Sequence, residues 1–181
     1  MFRALTKYLG RQVSRFTTAR DGTTAVEFAL IAPPFFALLF AIFETTLFLF
    51  AQATLQNAAD EAGRLFMTGQ VQNAGTTQSQ FQTQICPYVS ALFTCSNVMV
   101  NVTSYSSSSS INTTAPTLTY NSNGTVSNTW SYNEGTAGQL MVVQLIYQWP
   151  IVGIPLGSLF PSLGNGTTEM MGVAAFKVEP Y

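Results

Sequence analysis

A chain of 181 residues with seven basic and eight acidic side chains, a net charge of −1 and no histidine is long enough for one membrane segment and one small domain. The missing histidine excludes the Ser/His and Cys/His nucleophile pairs and removes the commonest metal ligand. Only Arg64 and Lys177 are basic after position 50, so there is no nucleic-acid footprint, and no acidic pair recurs at a spacing that argues for a catalytic cleft. The chain therefore reads as a non-enzyme without catalytic residues, cofactor or metal.

Met1 to Asp21 is short, basic and weakly apolar, with Leu5, Tyr8, Leu9, Val13 and Phe16 at roughly helical spacing. It is either the flank of a signal anchor or a leader. An ordinary secretory signal has a shorter apolar core that ends in its cleavage site, whereas here the apolar run comes after the Gly. From Phe28 to Phe43 no residue is charged, and Ala25 to Phe50 as a helix would span about 39 Å, enough for a hydrocarbon core of about 30 Å. Arg3, Lys7, Arg11, Arg15 and Arg20 precede this run, which places the N-terminus in the cytoplasm and the body beyond the membrane. Glu27, near its start, is costly in lipid and either sits at headgroup level or has a specific partner. Pro33 and Pro34 predict a kink. That kink is either tolerated in a lone anchor or repaired by neighbouring helices that satisfy the freed carbonyls.

From Leu47 the pattern becomes amphipathic: Leu47, Ala51, Leu55, Ala58, Ala62, Leu65 and Phe66 recur at helical steps, with Gln52, Gln56, Asp60 and Arg64 opposite. Asp60 and Arg64 are spaced for an i,i+4 ion pair, and Gly69 is the expected stop. Residues 23–69 thus form one long helix. Gln70 to Gln80 reads as a loop. Phe81 to Cys95 is helically spaced, but Pro87 disfavours helical geometry at Cys86 and predicts a broken helix. Cys86 and Cys95, both beyond the membrane, read most simply as one disulfide, with two unpaired buried thiols as the other possibility.

Val98 to Tyr105 alternates as a strand. Residues 106–138 are a Ser/Asn-rich insertion, either a flexible loop or a hairpin at Asn123-Gly124, with Tyr120, Trp130 and Tyr132 favouring partial order. Gln139 to Trp149 is almost continuously apolar, hence a central strand. Leu156 to Leu163 reads as a short apolar turn or helix, and Thr167 to Val178 alternates as a closing strand. The fold class is α+β: a long N-terminal helix, transmembrane in its first half, packed on a small antiparallel sheet in an extracytoplasmic domain spanning 70–181.

Gly22, Thr23, Thr24, Ala25, Val26 and Glu27, followed by Phe28, Ala29, Leu30 and Ile31, resemble the processing site of type IV prepilins. The closer resemblance is to the TadE-like minor pilins, or pseudopilins, of tight-adherence (type IVc) pilus systems. It rests on Gly22 to Leu30, Pro33, a second acidic residue at Glu44, and the run Gln56 to Arg64. The Cys86 and Cys95 segment before a strand and the Phe176 to Tyr181 terminus are further shared features. The resemblance implies a leader, 1–22, cut by a prepilin peptidase between Gly22 and Thr23, and an assembly role for Glu27 in pairing with the α-ammonium of Thr23 on another subunit. It further implies other pilin and pseudopilin subunits and an inner-membrane assembly platform as partners. The expected location is the bacterial inner membrane, single-pass, with a periplasmic C-terminal domain, before any incorporation into the extracellular pilus. Two alternatives are a permanently anchored periplasmic scaffold that keeps its leader and a surface adhesin that uses the insertion.

Overall fold

Residues 22–151 and 166–180 are described by the computed structural model. The stretch Met1 to Asp21, expected to belong to a leader, the apolar stretch Leu156 to Leu163 and Tyr181 lie outside them. Two compact units, Met1–Ile42 and Phe43–Tyr181, divide the chain, and one helix, α1 (Thr23–Met67), contributes to both. It stops where expected: Gly69 adopts φ 73°, a left-handed conformation that suits a residue without Cβ.

In the unit Phe43–Tyr181, α1 is followed by α2 (Gln70–Ala74) and α3 (Gln78–Val89), then by strands β1 (Met99–Tyr105), β2 (Leu140–Pro150) and β3 (Thr167–Lys177). The sheet is antiparallel in the order β1-β2-β3. The central place of β2 follows from its sequence, since Met141 to Tyr147 are all buried and both faces of the strand are covered. On one face Val100 and Val102 of β1, Met141, Val143 and Leu145 of β2 and Met170 of β3 pack with Ala51, Leu55, Ala58, Ala59, Ala62 and Phe66 of α1. Small residues let helix and sheet approach closely. A Cβ on Gly172 would stand 2.4 Å from the Leu55 carbonyl oxygen, and one on Gly63 would stand 3.0 Å from the Ala174 Cβ.

Two local expectations need correction. The stretch read as a loop from Gln70 to Gln80 contains α2 and the start of α3. Gly69 and Gly75, at φ 73° and 59°, bracket a single turn of helix that buries Val71, and Thr77 with Gln80 forms a capping box for α3. Pro87 does not break α3, which continues to Val89. The carbonyl deprived of a donor by Pro87 is that of Thr83, an exposed residue, while Phe81, Ile85 and Val89 bury the opposite side. Cys86 and Cys95 are joined in a disulfide with Cα atoms 5.4 Å apart. Gln82 braces the same loop by donating to the carbonyls of Cys95 and Val98 at 2.9 and 2.7 Å.

The second sheet face is covered by the Ser/Asn-rich stretch. Gln144 donates to the Thr114 carbonyl at 3.0 Å and Gln148 to the Tyr120 hydroxyl at 2.8 Å, and Leu118 is buried. Tyr120 and Val126 form an antiparallel bridge around a turn in which Gly124 has φ 75°. Asn121 and Asn128 hold the loop through their amides: Asn121 accepts from the backbone of Asn123 and Thr125, and Asn128 bonds Thr119 and Thr117. Tyr132 closes the arrangement beside the rings of Phe66 and Phe81 and donates its hydroxyl to the Thr76 carbonyl at 2.8 Å. Burial, with a smaller contribution from Glu134, pushes that hydroxyl above the ordinary tyrosine value.

Candidate functional site

The head of α1 carries the residues singled out in the sequence. Gly22 stands in a turn directly before the first helical residue, Thr23, and its carbonyl accepts the first helical bond from Val26 N at 3.1 Å. Gly22, Thr23 and Glu27 are all exposed, and Glu27 lies just over one turn into the helix. A Cβ on Gly22 would meet nothing within 4 Å among the described residues. Packing among the described residues therefore does not demand the glycine.

Beyond Glu27 the helix presents large apolar side chains outward: Val26, Phe28, Leu30, Ile31, Phe35 and Leu38 are more than half exposed. So continuous a greasy surface is not stable in water and marks a lipid- or partner-covered element. By length and composition α1 is able to cross a membrane. Its helical assignment runs through Pro33 and Pro34 without interruption, and both rings are exposed. Since proline lacks an N–H, the carbonyls of Ala29 and Leu30 lose their helical donors. Glu44 is half-buried, and its Oε2 has no hydrogen-bond partner among the described residues.

Further along α1, the residues expected on its outward polar face have different tasks. Gln56 donates to the Val173 carbonyl at 2.8 Å and accepts from Val173 N at 3.1 Å, while Gln52 donates to the Met171 carbonyl at 2.9 Å. These two glutamines therefore face the edge of β3, which periodicity alone did not indicate. Gln56 did stand in the run Gln56 to Arg64 that carried the family resemblance, and this was the only signal pointing to it. Asp60 accepts from Gln56 at 3.0 Å. The expected Asp60–Arg64 pair is replaced by Arg64 with Glu61, one residue closer, where Arg64 Nε donates to Glu61 Oε2 at 3.0 Å. That bond, aided by Tyr88, holds the Glu61 carboxyl below its ordinary value.

A family model described as TadE-like protein matches residues 22–64. The match thus takes in Gly22, Glu27, both prolines, Glu44 and the glutamine run, and stops before the disulfide and the sheet. No curated protein and no solved structure matches the chain.

Proposed function

We propose that this chain, TadE-like over residues 22–64 and so a pilin-like protein associated with a tight-adherence pilus, is a minor pilin that is freed from its leader by a prepilin peptidase and then helps to assemble or cap the filament. The observation that carries the reading is an exposed Gly22 immediately before a helix whose first turns present Glu27 and the large apolar side chains Val26, Phe28, Leu30 and Ile31 outward. Cleavage after Gly22 gives Thr23 a free α-ammonium. A carboxylate in an apolar surrounding is costly when alone, and pairing Glu27 with the ammonium of an adjacent subunit neutralises both charges and sets the register of the incoming helix. Neighbouring helices would also supply donors near the carbonyls that Pro33 and Pro34 leave open.

Mass spectrometry of the chain co-expressed with its peptidase tests the reading. The mature protein should begin at Thr23, and Gly22→Ala should accumulate as precursor. Because a Cβ at Gly22 meets no atom of the described residues, an intact fold should accompany that block. A mature protein that still begins near Met1 favours the permanently anchored scaffold. Glu27→Leu should be cleaved and inserted normally yet crosslink poorly to partner pilins, with Glu27→Asp intermediate; normal piliation of Glu27→Leu removes the assembly role.

A further inference from the structure

The two edges of the sheet are closed by different means. On β1, Val102 N donates to the Ser131 carbonyl and its own carbonyl accepts from Asn133 N, at 2.7 and 3.1 Å, while Gln78 donates to the Val100 carbonyl at 2.8 Å. Backbone thus covers that edge in part. On β3, the outward backbone groups of Met171 and Val173 are bonded by side chains, Gln52 and Gln56 of α1. Gln56 offers Val173 one donor and one acceptor, the same two bonds that an opposed residue on an added antiparallel strand would make. The Gln56 amide is held in place by a third bond, to Asp60.

What it covers is a hazard. Met170 to Phe176, MMGVAAF, is uncharged and proline-free, and Ala175 at the edge is exposed. Bare edges of this composition are templates for another strand. An antiparallel β3–β3 pair centred on Val173 has two-fold symmetry, so a second copy is self-complementary there. We propose that Gln56, seconded by Gln52, occupies the strand-addition site on β3 and keeps a second copy of this chain from pairing with it. This is independent of how the head of α1 is used.

The test uses the full chain in detergent micelles with a photo-crosslinking residue at position 175, comparing the wild type with Gln52→Ala/Gln56→Ala and with Gln56→Glu. Association through α1 is common to all three, so the position-175 crosslink reports the edge. In the double variant, amide exchange at Val173 should accelerate about five- to tenfold, and crosslinks between copies should appear that the wild type lacks. Unchanged Val173 exchange, or no crosslink in a variant whose near-UV circular dichroism is native, overturns the proposal. Should the double variant not fold, Gln56→Glu decides. It keeps the side-chain volume and the acceptor for Val173 N but loses both donated bonds. More position-175 crosslinking than in the wild type supports the proposal, and equal crosslinking overturns it.

Discussion

The two halves of α1 share one helix and oppose each other in chemistry. From Val26 to Phe50 most large side chains point outward, with Leu30 at 72% and Phe43 at 69% exposure, while Phe48 already packs against the core. From Ala51 to Phe66 the inward positions Ala51, Leu55, Ala58, Ala59, Ala62 and Phe66 are completely buried. The buried half is mostly alanine, and the exposed half is mostly phenylalanine and leucine. Apolar content therefore does not tell which half belongs to the protein's own core. Side-chain size does, because close packing on Gly172 and Ala174 demands small residues, whereas a surface meant for lipid or other helices is free to be large.

The largest test of this contrast is to truncate the same residue type on each side of it. Phe66→Ala should lower the unfolding free energy of the sheet-bearing unit by about 3–5 kcal/mol, because Phe66 is fully buried and packs at a tilt against Phe81, ring centroids 4.9 Å apart. Phe36→Ala, on the exposed half, should change that quantity by less than about 0.5 kcal/mol. Denaturant titration followed by near-UV circular dichroism in micelles measures both, and equal losses would erase the distinction between the halves. The next effect is covalent. Cys95→Ser opens the Cys86–Cys95 bridge and should cost about 2.5–3 kcal/mol in the chain-entropy model, read as a lower Tm of the same unit with no change in membrane insertion.

The smallest effect concerns pH. Burial raises the Glu169 carboxyl above its ordinary value, and Glu169 Oε1 has no hydrogen-bond partner among the described residues. The neutral form is the one the fold prefers. Its contribution is fully present below the unfolded carboxylate value and is lost as pH rises through the raised one. Glu169→Gln should therefore match the wild type in acid and exceed it in Tm at neutral pH. Glu61, lowered by Arg64, has the opposite slope: its contribution is present above the ordinary value and fades as the pH falls through the lowered one. A thermal series from acid to neutral pH on Glu169→Gln separates the two.

The sequence by itself determined what depends on neighbours along the chain. The apolar run, the helix stop at Gly69, the three strands and the central position of β2 were legible because period, length and punctuation are local properties. Gly22 and Glu27 were legible as a motif, and the structure adds that both are exposed and that a side chain at Gly22 is sterically free. The tertiary structure decided which partner each polar group meets. Gln52 and Gln56 read as solvent-facing until β3 arrives from more than a hundred residues away to take their amides. Arg64 bonds Glu61 rather than Asp60, which accepts instead from Gln56. Pro87 is tolerated on the exposed side of α3, with Thr83 one turn before it, while the helix buries Phe81, Ile85 and Val89 on the other. The Ser/Asn-rich stretch is ordered because its asparagines satisfy its own backbone and the second face of the sheet needs a cover. Hydrogen bonds are short-ranged and directional, so their assignment waits on long-range packing that no local pattern encodes.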